Sequence, residues 1–303
     1  MTAGQTEQVD RANGKTLLIT GAAGEVGTIL RGGIGARYSR VRLSDIQPID
    51  ALRRNEEFVH ADLTSWDETR ELFNEVEDVV HLGALATEAP FGDILEANIR
   101  GTFHVFEGAR RGSVRRVVYA SSFHVTGFMP TQPVPHAEDR FEPDSFYGIS
   151  KLTGEAIGKL YHHTFGIEVV SVRLGNCSAD PRNQGLHIES KWLSPGDAVR
   201  LFTACLESPG VDYVTVYGMS NNSHGWWDLD RARALGYEPR DSADSLATET
   251  EVDEASVGCV DQAGSVQGGL FAGWDDDLLF GSDLPGPRAL EPRTIGVWES
   301  RSQ

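Results

Sequence analysis

Six short apolar runs punctuate the first 176 residues of the chain. They are Lys15–Thr20 (KTLLIT), Val41–Asp45 (VRLSD), Phe58–Asp62 (FVHAD), Asp78–Leu82 (DVVHL), Arg116–Ala120 (RVVYA) and Ile167–Val172 (IEVVSV). Each reads as a strand, and their nearly unbroken apolar character predicts burial on both faces. Helical spacing fills the intervals, as in Trp66–Glu75 and Ile94–Arg110. Strands alternating with helices predict an α/β fold with a doubly wound, Rossmann-like parallel sheet. After Asn176 the pattern loosens. Ser178–Ser194 reads as a loop, Asp197–Glu207 as a helix, Val211–Tyr217 as a strand and Asn221–His224 as a turn. Residues 14–176 are therefore expected to form a nucleotide-binding domain. Residues 177–280 are expected to form a small substrate-binding cap interleaved with the last strands. Residues 1–13 read as a disordered lead, and the Gly/Pro-rich segment 281–303 as a surface tail.

Composition narrows the class of protein. The chain has 303 residues, 40 % hydrophobic and 24 % charged, enough for one large domain with a cap. No run of about 18 apolar residues predicts a membrane span, and Met1–Gly14 has no apolar stretch of a signal peptide. The net charge of −18 argues against a nucleic-acid or anionic-membrane partner. Only four of the 27 basic residues are lysines: Lys15, Lys151, Lys159 and Lys191. That balance has two readings, adaptation to high salt or an arginine-favouring GC-rich genome. Cys177, Cys205 and Cys259 are widely spaced and form no CxxC or Cys/His cluster, so neither a disulfide framework nor a metal site is expected. A reducing cytoplasm is the expected setting.

Three motifs carry chemistry. TGAAGEVG, Thr20 to Gly27, places Gly21, Gly24 and Gly27 between a strand and a helix. Such a loop lets backbone approach a pyrophosphate, and the helix N-terminus offers N–H groups to it. Asp45 ends the second strand, where a carboxylate accepts the ribose hydroxyls of an adenosine and repels a 2′-phosphate. NAD is therefore expected, with NADP as the open alternative because Arg42 lies nearby. Asp62 and Leu63, at the end of the third strand, are expected at the adenine. Finally, Tyr147 and Lys151 stand four apart in YGISK, on one helix face. A free phenol has a pKa of about 10 and is a poor base, so a neighbouring ammonium is expected to favour its ionised form. Ser121-Ser122, about 25 residues upstream, closes the fifth strand; Ser122 is placed to hydrogen-bond the reacting oxygen.

Together TGAAGEVG, Asp45, Asn98 in EANIRGT, SSFHVTG and YGISK resemble the extended short-chain dehydrogenase/reductase family. The resemblance implies Ser122, Tyr147 and Lys151 as catalytic residues. It implies Gly21, Ala23, Gly24, Glu25, Val26, Gly27, Asp45, Asp62, Leu63, Leu82, Gly83, Ala84, Asn98, Tyr147 and Lys151 at the cofactor, with Asn98 organising a proton-relay water. VRLGNC, KWLSPGD, VYGMSNN, GWWDLDRARALGYEPRD and QGGLFAG further resemble uronate dehydrogenases and related sugar 1-dehydrogenases. Those enzymes oxidise the anomeric carbon of a cyclic sugar to a lactone, and homo-oligomers are common among them. By that resemblance Phe123, His124, Asn176, His187 and Phe271 are the substrate-binding candidates. This chain departs from the pattern at three of them. Phe123 stands for an Asn, Asn176 for a Ser, and His187 for the Arg that holds a substrate carboxylate. Losing that guanidinium fork removes the natural bidentate partner of a carboxylate. Neutral aldoses, uronates and sugar phosphates all stay open as substrates. A sugar-nucleotide epimerase or dehydratase with tightly bound NAD is the alternative reading.

Overall fold

In the computed structural model, residues 14–131, 140–181, 188–245 and 267–268 are described. The chain opens with β1 (Thr16–Thr20), α1 (Glu25–Gly33), β2 (Arg40–Asp45) and β3 (Glu56–His60). Next come α2 (Trp66–Thr69) and β4 (Asp78–His81). A long helix follows, made of α3 (Phe91–Ile94), a π segment (Leu95–Arg100) and α4 (Gly101–Arg111). Beyond it are β5 (Arg116–Ser122), α5 (Phe146–Phe165) and β6 (Glu168–Leu174). The remaining elements are β7 (Asn176–Cys177), α6 (Ile188–Lys191), β8 (Trp192–Leu193), α7 (Pro195–Glu207), β9 (Tyr213–Gly218) and α8 (Asp230–Ala234).

Seven parallel strands form one sheet in the order β3-β2-β1-β4-β5-β6-β9. The alternation along β1 explains why helices cover both faces. Leu17 and Ile19 join a core with Leu30 of α1 and Leu201 and Phe202 of α7. Leu18 points the other way, into a core with Val105 and Phe106 of α4 and Tyr161 of α5. The strand order reverses direction between β1 and β4, so a crevice opens at their carboxyl ends, the place where open α/β sheets bind ligands. α5 is fixed at both ends: the Ser145 hydroxyl accepts from Gly148 N, and Gly166 takes the left-handed φ of 74° that stops the helix.

The structure departs from the periodicity in three places. The helix expected over Trp66–Glu75 lasts one turn of α-helix and one of 3-10 helix, ending at Phe73. The buried Arg42 guanidinium donates to the Leu72 and Asn74 carbonyls, which satisfies them without further helix, and Glu75 then turns at φ 58°. The helix expected over Ile94–Arg110 is real but passes through the π segment. The stretch 178–194, expected as a loop, contains α6 and β8. β8 pairs with β7, and the Trp192 indole N–H donates to Ser178 O. A two-residue ladder leaves no periodic trace. Among the described residues no helix is long and apolar enough to cross a membrane.

Candidate active site

One cavity of about 820 Å³ runs across the carboxyl ends of β1, β2, β4, β5 and β6. Its floor at one end is the Gly-rich loop. Gly21 has φ 69°, and a Cβ there would lie 2.6 Å from Gly83 N, so only glycine lets β1 and β4 come this close. Ala23, Gly24, Glu25, Val26 and Gly27 line the same end. α1 begins at Gly24 without a side-chain cap, which leaves its positive end facing the cavity.

Asp45 lines the cavity at the end of β2. Its carboxylate accepts from Ala23 N at 3.0 Å and from Gln47 N at 2.9 Å. A carboxylate has about four acceptor sites, so acceptor capacity remains for a diol. Arg42 does not face this end: its guanidinium is buried on Glu57 and the two carbonyls named above. Asp62, Leu63, Leu82, Gly83 and Ala84 also line the cavity. Asn98 does not. It is buried behind the wall, with Oδ1 accepting from Leu85 N and Nδ2 donating to Leu85 O and Ser150 Oγ. Direct cofactor contact thus gives way to a bracing position, in which Asn98 ties the loop after β4 to the helix that carries Tyr147. An open glycine floor, an uncapped helix N-terminus and a strand-end carboxylate in one elongated cavity fit a dinucleotide.

At the far end stand Ser122, from the end of β5, and Tyr147 and Lys151, from the first turns of α5. All three are buried. The Ser122 hydroxyl hydrogen-bonds the Tyr147 phenol and accepts from His124 N at 3.2 Å. Burial pushes the phenol up to about 12, the Ser122 hydrogen bond pulls it down, and the Asp144 charge pushes it up. Lys151 Nζ lies 5.6 Å from the centre of the Tyr147 ring and donates to Ala120 O at 2.9 Å. Burial pulls this ammonium down to about 8. In the protein alone burial, not Lys151, sets the direction of the phenol's shift.

Phe123 and His124 sit in a 3-10 turn after β5, and Asn176 begins β7; all three line the cavity beside Tyr147. The Phe123 and His124 rings stack at 4.1 Å, and His124 meets the Tyr147 ring edge-on at 5.8 Å. His187 and Phe271 lie outside the described residues. Several residues that sequence reasoning missed hold this end in place. Asp144 accepts from His124 Nδ1 at 2.7 Å and from Ser145 Oγ. Glu88 accepts the N–H groups of Phe146 and Tyr147, at 3.2 and 2.7 Å, at the positive end of α5. Gln267, fully buried, accepts from Thr126 Oγ1 and Trp227 Nε1 through one oxygen. The only signal for these was indirect: Asp144 precedes a helix-capping Ser, and Gln267 lies in a motif.

Residues 17–194 match the model of the NAD dependent epimerase/dehydratase family. This chain belongs to that family, the extended short-chain dehydrogenases. Within the family it is similar to the uronate dehydrogenase of Pseudomonas putida, with 40 % identity over 84 % of this chain and 95 % of that one. It is also similar to the NAD-dependent glucose-6-phosphate dehydrogenase of Haloferax volcanii, with 37 % identity over 79 % of this chain and 98 % of that one. A mutant uronate dehydrogenase from Agrobacterium tumefaciens, crystallised in complex with NAD, superposes with a TM-score of 0.77. It is 32 % identical over 85 % of this chain and 97 % of that one.

Proposed function

We propose that this family member oxidises the anomeric C1 hydroxyl of a cyclic sugar to its lactone, using NAD. The observation that carries the reading is the single cavity with a dinucleotide floor at one end and Ser122, Tyr147 and Lys151 at the other. Relatives named as uronate and glucose-6-phosphate dehydrogenases support it. NAD, when bound, supplies the hydride acceptor and a positive charge. The chain's own residues handle the proton. The single Ser122 O–H donates to the Tyr147 Oη, which lowers the phenol, and turns to the reacting oxygen as Tyr147 takes up the proton. Tyr147 Oη takes the proton of the C1 hydroxyl. Lys151, held by Ala120 O, keeps a cation 5.6 Å from the phenol ring and stabilises the phenolate that does this work. Phe123, His124 and Asn176 form the wall against which the sugar rests. Asp45 selects NAD over NADP, because Arg42 is committed elsewhere.

Tyr147→Phe tests the roles. General-base catalysis contributes roughly 10²–10⁴-fold, so kcat should fall by that factor while NAD affinity stays near the parent value. A variant that turns over at the parent rate would sink the assignment. The family also contains epimerases and dehydratases, and an NAD-retaining epimerase is the second reading. It predicts conversion of nucleotide sugars with no net NADH. The reading includes a homo-oligomer in a reducing cytoplasm; light scattering on the purified protein checks the first part.

A further inference from the structure

The loop after β4 serves both ends of the site. Its residues from Leu82 to Thr87 all line the cavity. The next residue, Glu88, is buried and does not line it; its carboxylate lies on the first turn of α5. One oxygen accepts from Phe146 N at 3.2 Å and the other from Tyr147 N at 2.7 Å. The helix's own cap, the Ser145 hydroxyl, accepts from Gly148 N at 3.0 Å, and Ile149 N donates to Ser145 O. The two N–H groups that the local sequence leaves over are therefore satisfied from far upstream. The Tyr147 carbonyl leads back to the same loop. It accepts from Ser150 Oγ at 2.7 Å, Ser150 Oγ accepts from Asn98 Nδ2, and Asn98 holds both the N–H and the C=O of Leu85.

Among the described residues no lysine or arginine lies within ion-pair distance of Glu88. Burial raises its carboxyl, and the N–H groups of Tyr147 and Phe146 pull it back down. The positive end of α5 is left to balance the charge. A helix cap alone does not call for a buried carboxylate, since Ser, Thr or Asn would cap without that desolvation. What Glu88 adds is reach: it joins the backbone of the tyrosine to a loop that is distant in the chain.

We propose that Glu88 is a positioning residue for Tyr147: it fastens the backbone of the tyrosine to the loop that walls the cofactor cavity, so that NAD resting on that loop steadies the phenol. This rests on the reading of Tyr147 as the base. Glu88 acts through Tyr147 and not on the substrate. A base displaced by about 1 Å loses on the order of 10²-fold in rate, and the path through Ser150 and Asn98 keeps the displacement small when Glu88 is lost.

The test compares the full chain with Glu88→Ala and Glu88→Gln, and with Ser194→Ala as a control. Ser194 caps α7 by accepting from Asp197 N at 2.9 Å, so its variant loses a cap on a helix that does not carry Tyr147. Kinetics use NAD and whichever of glucuronate, glucose 6-phosphate and glucose the parent turns over fastest. Glu88→Ala should lower kcat by roughly 10- to 100-fold, with KM for the sugar and Kd for NAD near the parent values. Glu88→Gln keeps an acceptor oxygen on the first turn and should recover most of the loss, which also covers poor folding of the Ala variant. Ser194→Ala should lower Tm and leave kcat at the parent value. Hydrogen exchange on peptides covering the first turn of α5 gives a readout without turnover. NAD should slow exchange there in the parent and leave it unchanged in Glu88→Ala. A Glu88→Ala variant at parent kcat, a loss carried by KM alone, an equal kcat loss in Ser194→Ala, or parent exchange that NAD does not slow overturns the proposal. NADH formation from none of the sugars overturns the dehydrogenase reading instead, and the exchange experiment then decides the role of Glu88 by itself.

Discussion

Two glycines of the same loop should behave in opposite ways when replaced by alanine. A Cβ on Gly27 would come within 2.6 Å of Gly21 O and 2.7 Å of both Ala22 Cα and Ala22 O. All three are backbone atoms, so the clash can be relieved only by moving α1 away from β1. Overpacking of this kind costs about 1–3 kcal/mol. The better helix propensity of alanine returns about 1 kcal/mol at most. For a domain of this size about 1–2 kcal/mol corresponds to a fall of roughly 2–8 °C in Tm. A Cβ on Gly24 meets only Gly21 O, at 3.3 Å. Alanine is a poorer N-cap than glycine but restricts the unfolded chain, and these effects of roughly 0.5–1 kcal/mol each nearly cancel. Both glycines line the cavity, but only the Gly24 methyl has open space around it, so it is expected to fall on the cofactor instead. Gly27→Ala should therefore lower Tm in differential scanning calorimetry of the cofactor-free protein. Gly24→Ala should leave that Tm unchanged and raise the Kd for NAD by about tenfold or more. A Gly24 variant as destabilised as the Gly27 variant, or one that binds NAD normally, would refute the placement of the cofactor over this loop.

Further predictions concern charge. Lys151→Met should abolish activity yet raise stability at pH 7 by about 2 kcal/mol. Lowering the ammonium from 10.5 to about 8 corresponds to roughly 3 kcal/mol of burial cost, and the lost bond to Ala120 O gives back about 1. The folded-state pKa lies below the unfolded one, so the parent gains stability as pH rises from about 8 to 10.5, and the gap to the Met variant should close over that window in urea titrations. A gap unchanged across that range would contradict the buried-ammonium account. Asp45→Ala should raise KM for NAD by roughly 10- to 100-fold without creating NADP activity, because Arg42 stays on Glu57 and two carbonyls; efficient NADP use by this variant would show otherwise. With a net charge of −18, Tm should climb as salt screens self-repulsion, and a flat salt titration would count against salt adaptation.

The succession of strands along the chain and the three motifs were legible in the sequence because their signals are local. KTLLIT, the glycine spacing and the i, i+4 pair of Tyr147 and Lys151 each declare themselves within a few residues. What stayed hidden depends on partners far along the chain. Glu88 caps a helix 58 residues on, and Gln267 reaches Thr126 across 141 residues. Glu88 has no neighbour that marks it, and the motif around Gln267 does not reveal its partners. Asn98 was picked out by its motif, but the motif could not tell a residue on the cavity wall from one bracing it from behind. Nor could the Tyr-Lys spacing show that burial raises the phenol.

The measurement closest to the central claim is NADH formation by the purified protein from free sugars, with the lactone followed by NMR. The account predicts one NADH per lactone formed, and loss of both in Tyr147→Phe. Conversion of nucleotide sugars without net NADH, or lactone formation undiminished in Tyr147→Phe, would contradict it.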